Sequence, residues 1–460
     1  MRELRNIENI YFIGAGGIGM SALARYFLAG GFEIGGYDRT ITLLTRQLVE
    51  EGCLIQYEDS IDKLPEIFKN SNNTLVIYTP AIPGHNTLYR YFADKGFRIF
   101  KRAEMLGLIT DKSTAIAVAG THGKTSISSL TAHFLKQSSV DCSAFLGGIS
   151  RNYNTNLLTG KGDITVVEAD EYDRSFHFLS PYLALITSLD ADHLDVYGSL
   201  DNMIEAYNIF ASRIREGGSL IVNSRIRDRI KARGHTPVYT YGLDENSDFR
   251  IDKLRIDRGV YHFNVIRPRG EIPGLISNMP GKLNLENTIA AISLASLIGV
   301  SDDEIRKALI HYKGVKRRFD IRFSNKNITY IDDYAHHPRE LDYLINSVRE
   351  FYGNRHITIV FQPHLFTRTQ EHAAAFARSL DIADSVILLP VYPAREEPIK
   401  GVSSNTIMEK MKCKERVLIE MDQVPDFLSG KKLDILLTVG AGDIDTLVYP
   451  LENMLKGGPA

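Results

Sequence analysis

Cysteine is scarce in this chain, and the three that occur, Cys53, Cys142 and Cys413, lie far apart with no CxxC pair. That excludes a disulfide framework and a cysteine zinc site, and it fits a reducing compartment. Long hydrophobic runs are missing too. The best candidate, "TIAAISLASLIGV", falls short of the roughly 20 residues that span a bilayer and reads as a buried helix. The apolar N-terminal stretch is cut by glycines and continues as a strand–turn–helix unit, so it is not read as a signal peptide and no membrane insertion is expected. Charge of one sign is not in excess. A net charge of −2 argues against nucleic acid as a partner, although a local basic site stays open. Low-complexity tracts and short-period repeats are absent as well.

What is present is an ordinary globular composition, 44% hydrophobic and 24% charged, over 460 residues. At about 150 residues per domain the length suggests three domains. The first hundred residues alternate apolar β-branched runs ("NIYFIGAG", "EIGGYD", "TLVIYTPA", "FRIF") with helical stretches ("MSALARYFLAG", "NTLYRYFADKG"), which predicts a parallel sheet. A second unit opens with "TAIAVAGTHGKTSISSLTAHFLKQ" and continues through the strands "DITVVEAD", "LALITSLD" and "GSLIVNS". The piece "FRIDKLRIDRGVYHFNVIRPRGEIPGLI" alternates with turn signals and reads as an antiparallel ribbon, and "GKLNLENTIAAISLASLIGV" as a helix ending at Gly299. A third unit follows "GVKRRFDIR", with strands "ITYIDDYA", "HITIVFQP", "SVILLPVY" and "DILLTVGAG". The expectation is an α/β protein of three tandem domains, residues 1–107, 108–313 and 314–460. The first is Rossmann-like, the second a P-loop ATPase-type mixed sheet, and the third again Rossmann-like.

The first glycine loop, "GAGGIG", follows a strand and opens a helix. Gly14, Gly16 and Gly19 fit G-x-G-x-x-G, and Asp38 stands 22 residues after Gly16. Alone, this pattern points to a dinucleotide and a dehydrogenase. The second loop, "AGTHGKTS", is stronger. Gly120, Thr121, His122 and Gly123 form a turn whose amides and helix start suit an anion. Lys124 can reach phosphates, and Thr125, followed by Ser126, can offer a hydroxyl to Mg²⁺. The loop is shorter than G-x-x-x-x-G-K-[ST], since Val118 occupies the position of the first glycine.

Acids gather at the ends of the strands that follow. "VVEADEYD" supplies Glu168, Asp170, Glu171 and Asp173, with Glu168 placed at the strand end where Mg²⁺ would sit; any single one of the four could equally be a solvated loop acid. "SLDADHLD" adds Asp190, Asp192, His193 and Asp195. In the third unit, "DDYAHHPRE" and "FQPHLFTRTQ" bring Asp332, Asp333, Tyr334, His336, His337, His364 and Arg368 to strand ends, a binding edge. Pro338 is placed to open a helix, which leaves one of the two histidines as a cap. Lys316, Arg317 and Arg318 lie at the second boundary, where an arginine can close on a transferred phosphoryl group.

Taken in order, "GTHGKTS", "EADEYDRSF", "DADHLDVYG", "KLNLENTIAA", "KRRFD", "DDYAHHPRE", "FQPHLFTRT" and "VGAGDIDTL" resemble the Mur ligases over essentially the whole chain. "DDYAHHP" and "FQPH…TRT" are the most specific to the alanine-adding members. The resemblance implies a cytoplasmic step of peptidoglycan precursor synthesis. ATP phosphorylates the carboxylate of UDP-N-acetylmuramate, and the amine of L-alanine attacks the acyl phosphate to give an amide, ADP and phosphate. It implies two Mg²⁺ ions, with Mn²⁺ able to substitute, and a monomer or weak homodimer. By position, Lys124 and Thr125 would cradle the phosphates and first metal, Glu168 would bridge toward both metals, and His193 would serve the second. Asn284 and Asn287 would meet the nucleotide, which Gly120 to Ser126 enclose. Arg318 would face the γ- or acyl phosphate, and Asp333 the ATP ribose. Tyr334, His336, His364 and Arg368 would surround alanine. The first loop, Gly14, Ala15, Gly16, Gly17, Ile18 and Gly19, would hold the diphosphate of the UDP-sugar, and Asp38 need touch no NAD ribose.

Two departures from the family pattern bear on this. The residue after "FQPH" is Leu365 where an arginine is usual, which throws more of the alanine carboxylate onto Arg368. No lysine occurs between His193 and Arg213, unlike the members that add later residues. The competing readings are the ligase that attaches a ready-made peptide during wall recycling, an NAD-dependent oxidoreductase, and a non-catalytic nucleotide sensor. The third-unit motifs disfavour the first, the P-loop acids the second, and the Lys124, Thr125, Glu168 and His193 set the third.

Overall fold

The computed structural model describes residues 4–190, 194–257, 260–394 and 396–457. It holds three sheets. The first has five parallel strands in the order Leu54–Gln56, Glu33–Tyr37, Asn9–Ile13, Thr74–Tyr78, Arg98–Lys101. Asn9–Ile13 is buried along its whole length. Ile10 and Phe12 enter one apolar cluster, Tyr11 and Ile13 the other. This two-sided burial explains why the run is continuously apolar rather than alternating. The strand order reverses about this strand, so the loop after it opens into the crevice where α/β sheets bind ligands.

The second sheet has ten strands. Thr114–Ala119 lies at its heart, parallel to Leu183–Ile186 on one side and Ile164–Glu168 on the other. Ser143–Phe145 and Leu157–Leu158 pair antiparallel at one end, so the sheet is mixed. The Phe249–Asp257, Val260–Arg267 and Gly270–Ser277 strands lie side by side at the other end. The helix after the second glycine loop, Lys124–Lys136, buries ten of its 13 residues. Each large apolar side chain so buried, such as Ile127 or Phe134, contributes about 1.5–3 kcal/mol, which fixes the loop that precedes it. The expected helix at 281–300 runs Lys282–Leu297, and Gly299 follows at φ +97°.

The third sheet has six strands in the order Asp320–Ser324, Thr329–Asp333, Ile435–Val439, Ile357–Phe361, Ser385–Leu388, Glu415–Leu418. All neighbours are parallel except the first pair. Its strands, too, feed apolar clusters on both faces, with Ile359 on one and Val360 on the other.

The chain divides into two compact units. One holds the first sheet and most of the second, through Leu254 and again over Phe263–Ile276 and Glu286–Tyr312; the other holds the third sheet with Ser277–Leu285. Within the first unit, Asn156 fastens the opening helix, Ile18–Ala29, to the second sheet's loops. Its Nδ2 donates to Ile18 O at 2.6 Å and to Ser21 Oγ at 3.0 Å, and its Oδ1 accepts from Arg25 Nη1 at 2.5 Å. Among the described residues no helix is long and apolar enough to cross a membrane.

Candidate active site

The second glycine loop is shaped by what lies behind it. Gly123 has φ +82°, and a Cβ there would stand 2.6 Å from Asn287 Oδ1. Only glycine adopts that turn without strain. The opposite wall is a short hydroxyl ladder. Thr121 Oγ1 and Ser188 Oγ are 2.7 Å apart, and Thr187 Oγ1 donates to His122 O at 2.5 Å. Thr121 N and His122 N are taken by Ser188. The amides from Gly123 onward open the helix, where a helix has no internal acceptors for them. Together with the positive end of the helix dipole they make an anion seat.

Lys124 is the buried cation of the site. Its Nζ donates to Gly120 O at 2.7 Å and to Glu171 Oε1 at 2.9 Å. Burial alone would lower its pKa, but Glu171 first and then Glu168 more than offset this, and the net shift is upward, so the ammonium stays charged. Glu171 is itself held through its backbone, whose carbonyl accepts from Tyr197 Oη at 2.5 Å. Thr125 Oγ1 donates to Glu168 Oε2 at 2.9 Å, and the same carboxylate oxygen accepts from Gly147 N at 3.1 Å.

Every carboxylate of "EADEYD" is therefore engaged rather than merely solvated. Asp170 pairs with Arg102 at 3.0 Å and Asp173 with Lys101 at 3.1 Å. Asp173 and Arg174 sit at φ +52° and +54°, a strained pair in the loop that carries the acids. In the next cluster Asp190 Oδ2 lies 3.2 Å from His122 Nε2. Asp192 and His193 lie outside the described residues, as does the side chain of Asp195.

The first loop spends most of its amides internally. Gly14 N and Ala15 N donate to Tyr37 O, Gly17 N to Gly14 O, and Gly16 N to Asp38 Oδ2 at 2.8 Å. Asp38 Oδ1 accepts from Thr40 N at 3.0 Å. The acid thus braces its own loop, a use that the dinucleotide pattern does not contain. Ile18 and Gly19 stand in the first turn of the following helix, where amides have no acceptor within the helix. They border a pocket of about 290 Å³ that runs past Thr79, Arg102 and Gly147 to Glu168 and Asp170. One pocket therefore joins the first loop's helix to the carboxylate beside the second loop. Sequence reasoning missed Arg102. Its signal was available, since it opens a helix straight after the strand Arg98–Lys101, at the same sheet edge as the loop.

Asn287 Oδ1 is the atom that a Cβ on Gly123 would meet. Asn284 Nδ2 donates to Pro280 O at 2.6 Å.

In the second unit, Arg317 and Arg318 both lie over the Tyr334 ring, with their Cζ atoms 5.1 and 5.2 Å from its centroid. Arg317 also reaches Gly440 O and lies 3.6 Å from Asp332 Oδ2. Asp332 is buried, which raises its pKa to about 7 against the pull of Arg317. Asp333 accepts from Phe319 N at 2.6 Å and from Ala335 N at 2.7 Å. Each of its oxygens keeps a second lone pair for a hydroxyl donor. His337 caps the helix that Pro338 opens, accepting from Arg339 N at 3.4 Å, so it is the structural histidine of the pair. His336 and His364 face each other at 5.8 Å, and His364 stacks on Tyr392 at 5.7 Å. Burial first, then His336 and Arg368, lowers the His364 pKa to about 4, so its ring is neutral at pH 7. Its Nδ1 and Nη1 of Arg368 are buried with no hydrogen-bond partner among the described residues. Leu365, the departure from the family pattern, takes φ +70° at the start of the Phe366–Leu380 helix.

Residues 9–114 match the Mur ligase family catalytic domain, 118–295 the Mur ligase middle domain, and 317–442 the Mur ligase glutamate ligase domain. The chain is 47% identical over 454 residues to the UDP-N-acetylmuramate–L-alanine ligase of Parabacteroides distasonis, covering 98% of each. It is 44% identical to that of Porphyromonas gingivalis strain W83, covering 98% of this chain and 99% of the other. The crystal structure of UDP-N-acetylmuramate-alanine ligase from Thermotoga maritima superposes with a TM-score of 0.83 at 28% identity, covering 98% and 99%. A murein peptide ligase from Psychrobacter arcticus shares the fold, with a TM-score of 0.71 at 22% identity over 98% of this chain and all of the other. The chain belongs to the Mur ligase family.

Proposed function

We propose that this ATP-dependent ligase joins L-alanine to the carboxylate of UDP-N-acetylmuramate in the cytoplasm, releasing ADP and phosphate, as a step of peptidoglycan precursor synthesis. One observation carries the reading. The pocket from Ile18 and Gly19 past Arg102 ends at Glu168, which is hydrogen-bonded to Thr125 of the second loop. A nucleotide sugar whose diphosphate rests on the first helix start would extend its carboxylate toward the loop that holds ATP. The domains then divide the work: 1–107 for the UDP-sugar, 108–313 for ATP, and 314–460 for closing on ATP and binding the amino acid.

A carboxylate is a poor electrophile, so ATP must first convert it to an acyl phosphate. The protein's task is to position the two anions and offset their charge. Lys124 and the amides of Gly123 to Ser126 hold the transferring phosphates, and Asn284 and Asn287 meet the nucleotide. The Thr125 hydroxyl and the Glu168 carboxylate are hard oxygen donors that fit Mg²⁺; a bound Mg²⁺ would neutralise phosphate charge there. We assign a second Mg²⁺ to Glu168 and His193, with Mn²⁺ as a substitute. Arg318 faces the transferred phosphoryl group, and Asp333 accepts from the ATP ribose. Lodging alanine among Tyr334, His336, His364 and Arg368 would give a carboxylate to Arg368 Nη1 and an amine to the neutral His364 Nδ1, both unpartnered among the described residues. The working form is a monomer or weak homodimer.

Phosphate release with UDP-N-acetylmuramate, ATP and Mg²⁺ tests this against each amino acid and against a preformed wall tripeptide. L-alanine should give the highest kcat/KM. Release with the tripeptide alone would transfer the assignment to the recycling ligase, and no release with L-alanine, L-serine or glycine would sink it.

A further inference from the structure

The third sheet has a pocket at the edge where its parallel strands begin, away from the strand ends that carry His336, His364 and Arg368. It measures about 610 Å³ and is lined by His356, Ser385 and Glu415 at or beside the strand starts. We propose that this pocket is a second nucleotide-class site, taking a phosphate ester that carries a flat, apolar body.

The charge around it is uneven. Lys414, Arg416, Lys431 and Lys432 line it, all exposed, against the acids Glu415 and Asp434. Both acids are already engaged. Glu415 accepts from Ser385 Oγ, and Asp434 Oδ2 accepts from His356 N at 3.2 Å. Lys414 and Lys432 have no hydrogen bond or ion pair among the described residues. Four cations facing one cavity repel each other, and a multivalent anion is the partner that relieves this. Arg416 anchors one arm on Cys413 O and keeps further donors in the fork geometry that suits phosphate.

The pocket is also not merely charged. Val417 and Phe427, both half-buried, give it an apolar floor that the buried Val386 and Leu428 back from beneath. Lys431 Nζ lies 3.3 Å from the Phe427 ring centroid, which holds that cation against the aromatic wall. An apolar surface beside convergent polar groups, at this volume, is the makeup of a small-molecule site. A bare anion would use only the rim, whereas a nucleobase would also cover the floor.

Hydrogen exchange of the full-length enzyme tests this. The UDP-sugar and a non-hydrolysable ATP analogue are held at saturation, so the two catalytic sites are filled. AMP and inorganic phosphate are then titrated separately. AMP should slow exchange saturably in segments 412–418 and 427–433. Phosphate should do so at least tenfold less tightly. Lys414→Glu/Lys432→Glu should weaken the AMP effect at least tenfold, Lys414→Gln/Lys432→Gln should weaken it less, and both should leave basal phosphate release within twofold. No protection by either probe overturns the site. So does protection that the charge-reversed variant retains. Equal protection by phosphate and AMP overturns the nucleotide class.

Discussion

The two glycine loops follow the same path, from a buried parallel strand through a tight turn into an uncapped helix, yet they are left free to do different things. The first ties up the amides of Gly14 through Gly17 on Tyr37, Asp38 and its own turn, and its nearest cation, Arg102, comes from another helix. Among the described residues the second spends only Thr121 N and His122 N on its wall, and its own helix supplies Lys124 and Thr125. A loop braced by an acid can hold a stable diphosphate. A loop that brings its own ammonium and hydroxyl can follow a phosphoryl group as charge moves. The difference lies in who occupies the amides rather than in the number of glycines.

The sharpest way to break this comparison is to remove the second loop's cation. Lys124→Ala should lower turnover more than about 10³-fold, a loss of roughly 4 kcal/mol of transition-state stabilisation. UDP-sugar binding by calorimetry should stay within about twofold. Removing one partner of a buried ion pair strands the other, and the Glu171 side chain is only 2% exposed. Lys124→Ala/Glu171→Gln therefore serves as the folded control. Equal loss of UDP-sugar binding in both proteins, with melting unchanged, would mean that the loops do not divide the substrates.

A second contrast concerns what the two helices bury. The Ile18–Ala29 helix has no group that titrates between pH 4 and 7, whereas the Lys124–Lys136 helix buries His133. Its ring nitrogens meet Tyr153 Oη at 3.1 Å and Ala308 O at 3.0 Å. Burial lowers its pKa from 6.5 to about 4. Between those values the unfolded chain binds a proton that the folded one refuses. Stability is therefore intact above pH 6.5, falls as the pH drops toward 4, and levels off below that. The loss should be on the order of 2 kcal/mol at pH 4.5. Other buried histidines add to the slope, so the measurement is the difference in urea unfolding between wild type and His133→Gln at pH 7 and 4.5. A difference that does not change with pH would show that His133 is not neutral in the fold.

Much of this was legible in the sequence, for reasons that differ by element. The central strands were visible because burial on both faces makes runs such as "IAVA" continuously apolar. The short strands Leu54–Gln56, Ser143–Phe145 and Leu157–Leu158 were not, because they run for only two or three residues and Leu54–Gln56 is partly exposed. Lys124, Thr125 and Glu168 were legible because phosphate and metal chemistry restricts residue type near a glycine turn. The partners that hold them were not. Tyr197, Thr187 and Ser188 act through hydrogen bonds set by the fold, and no local pattern marks a residue that meets the loop from another element. Asp38 shows the converse. Its spacing was read correctly, but the acid turns inward to Gly16 N, so spacing alone named the wrong ligand.

That inward turn gives the smallest effect and the one most specific to the first loop. A Cβ on Gly16 would stand 2.7 Å from Thr45 Cγ2 and 2.8 Å from Asp38 Oδ2. Gly16→Ala must therefore push Asp38 aside and release the amide that it braces. The helix start at Ile18 would shift with it, because Gly17 N is bonded within the same turn. The KM for the UDP-sugar should rise about tenfold, near 1.4 kcal/mol, while the KM for ATP stays within twofold. Asp38→Asn keeps an acceptor for Gly16 N without the charge and should cost less than Gly16→Ala. If instead ATP and UDP-sugar KM rise together in Gly16→Ala, the brace supports both loops, and the separation between a holding loop and a reacting loop fails at its first member.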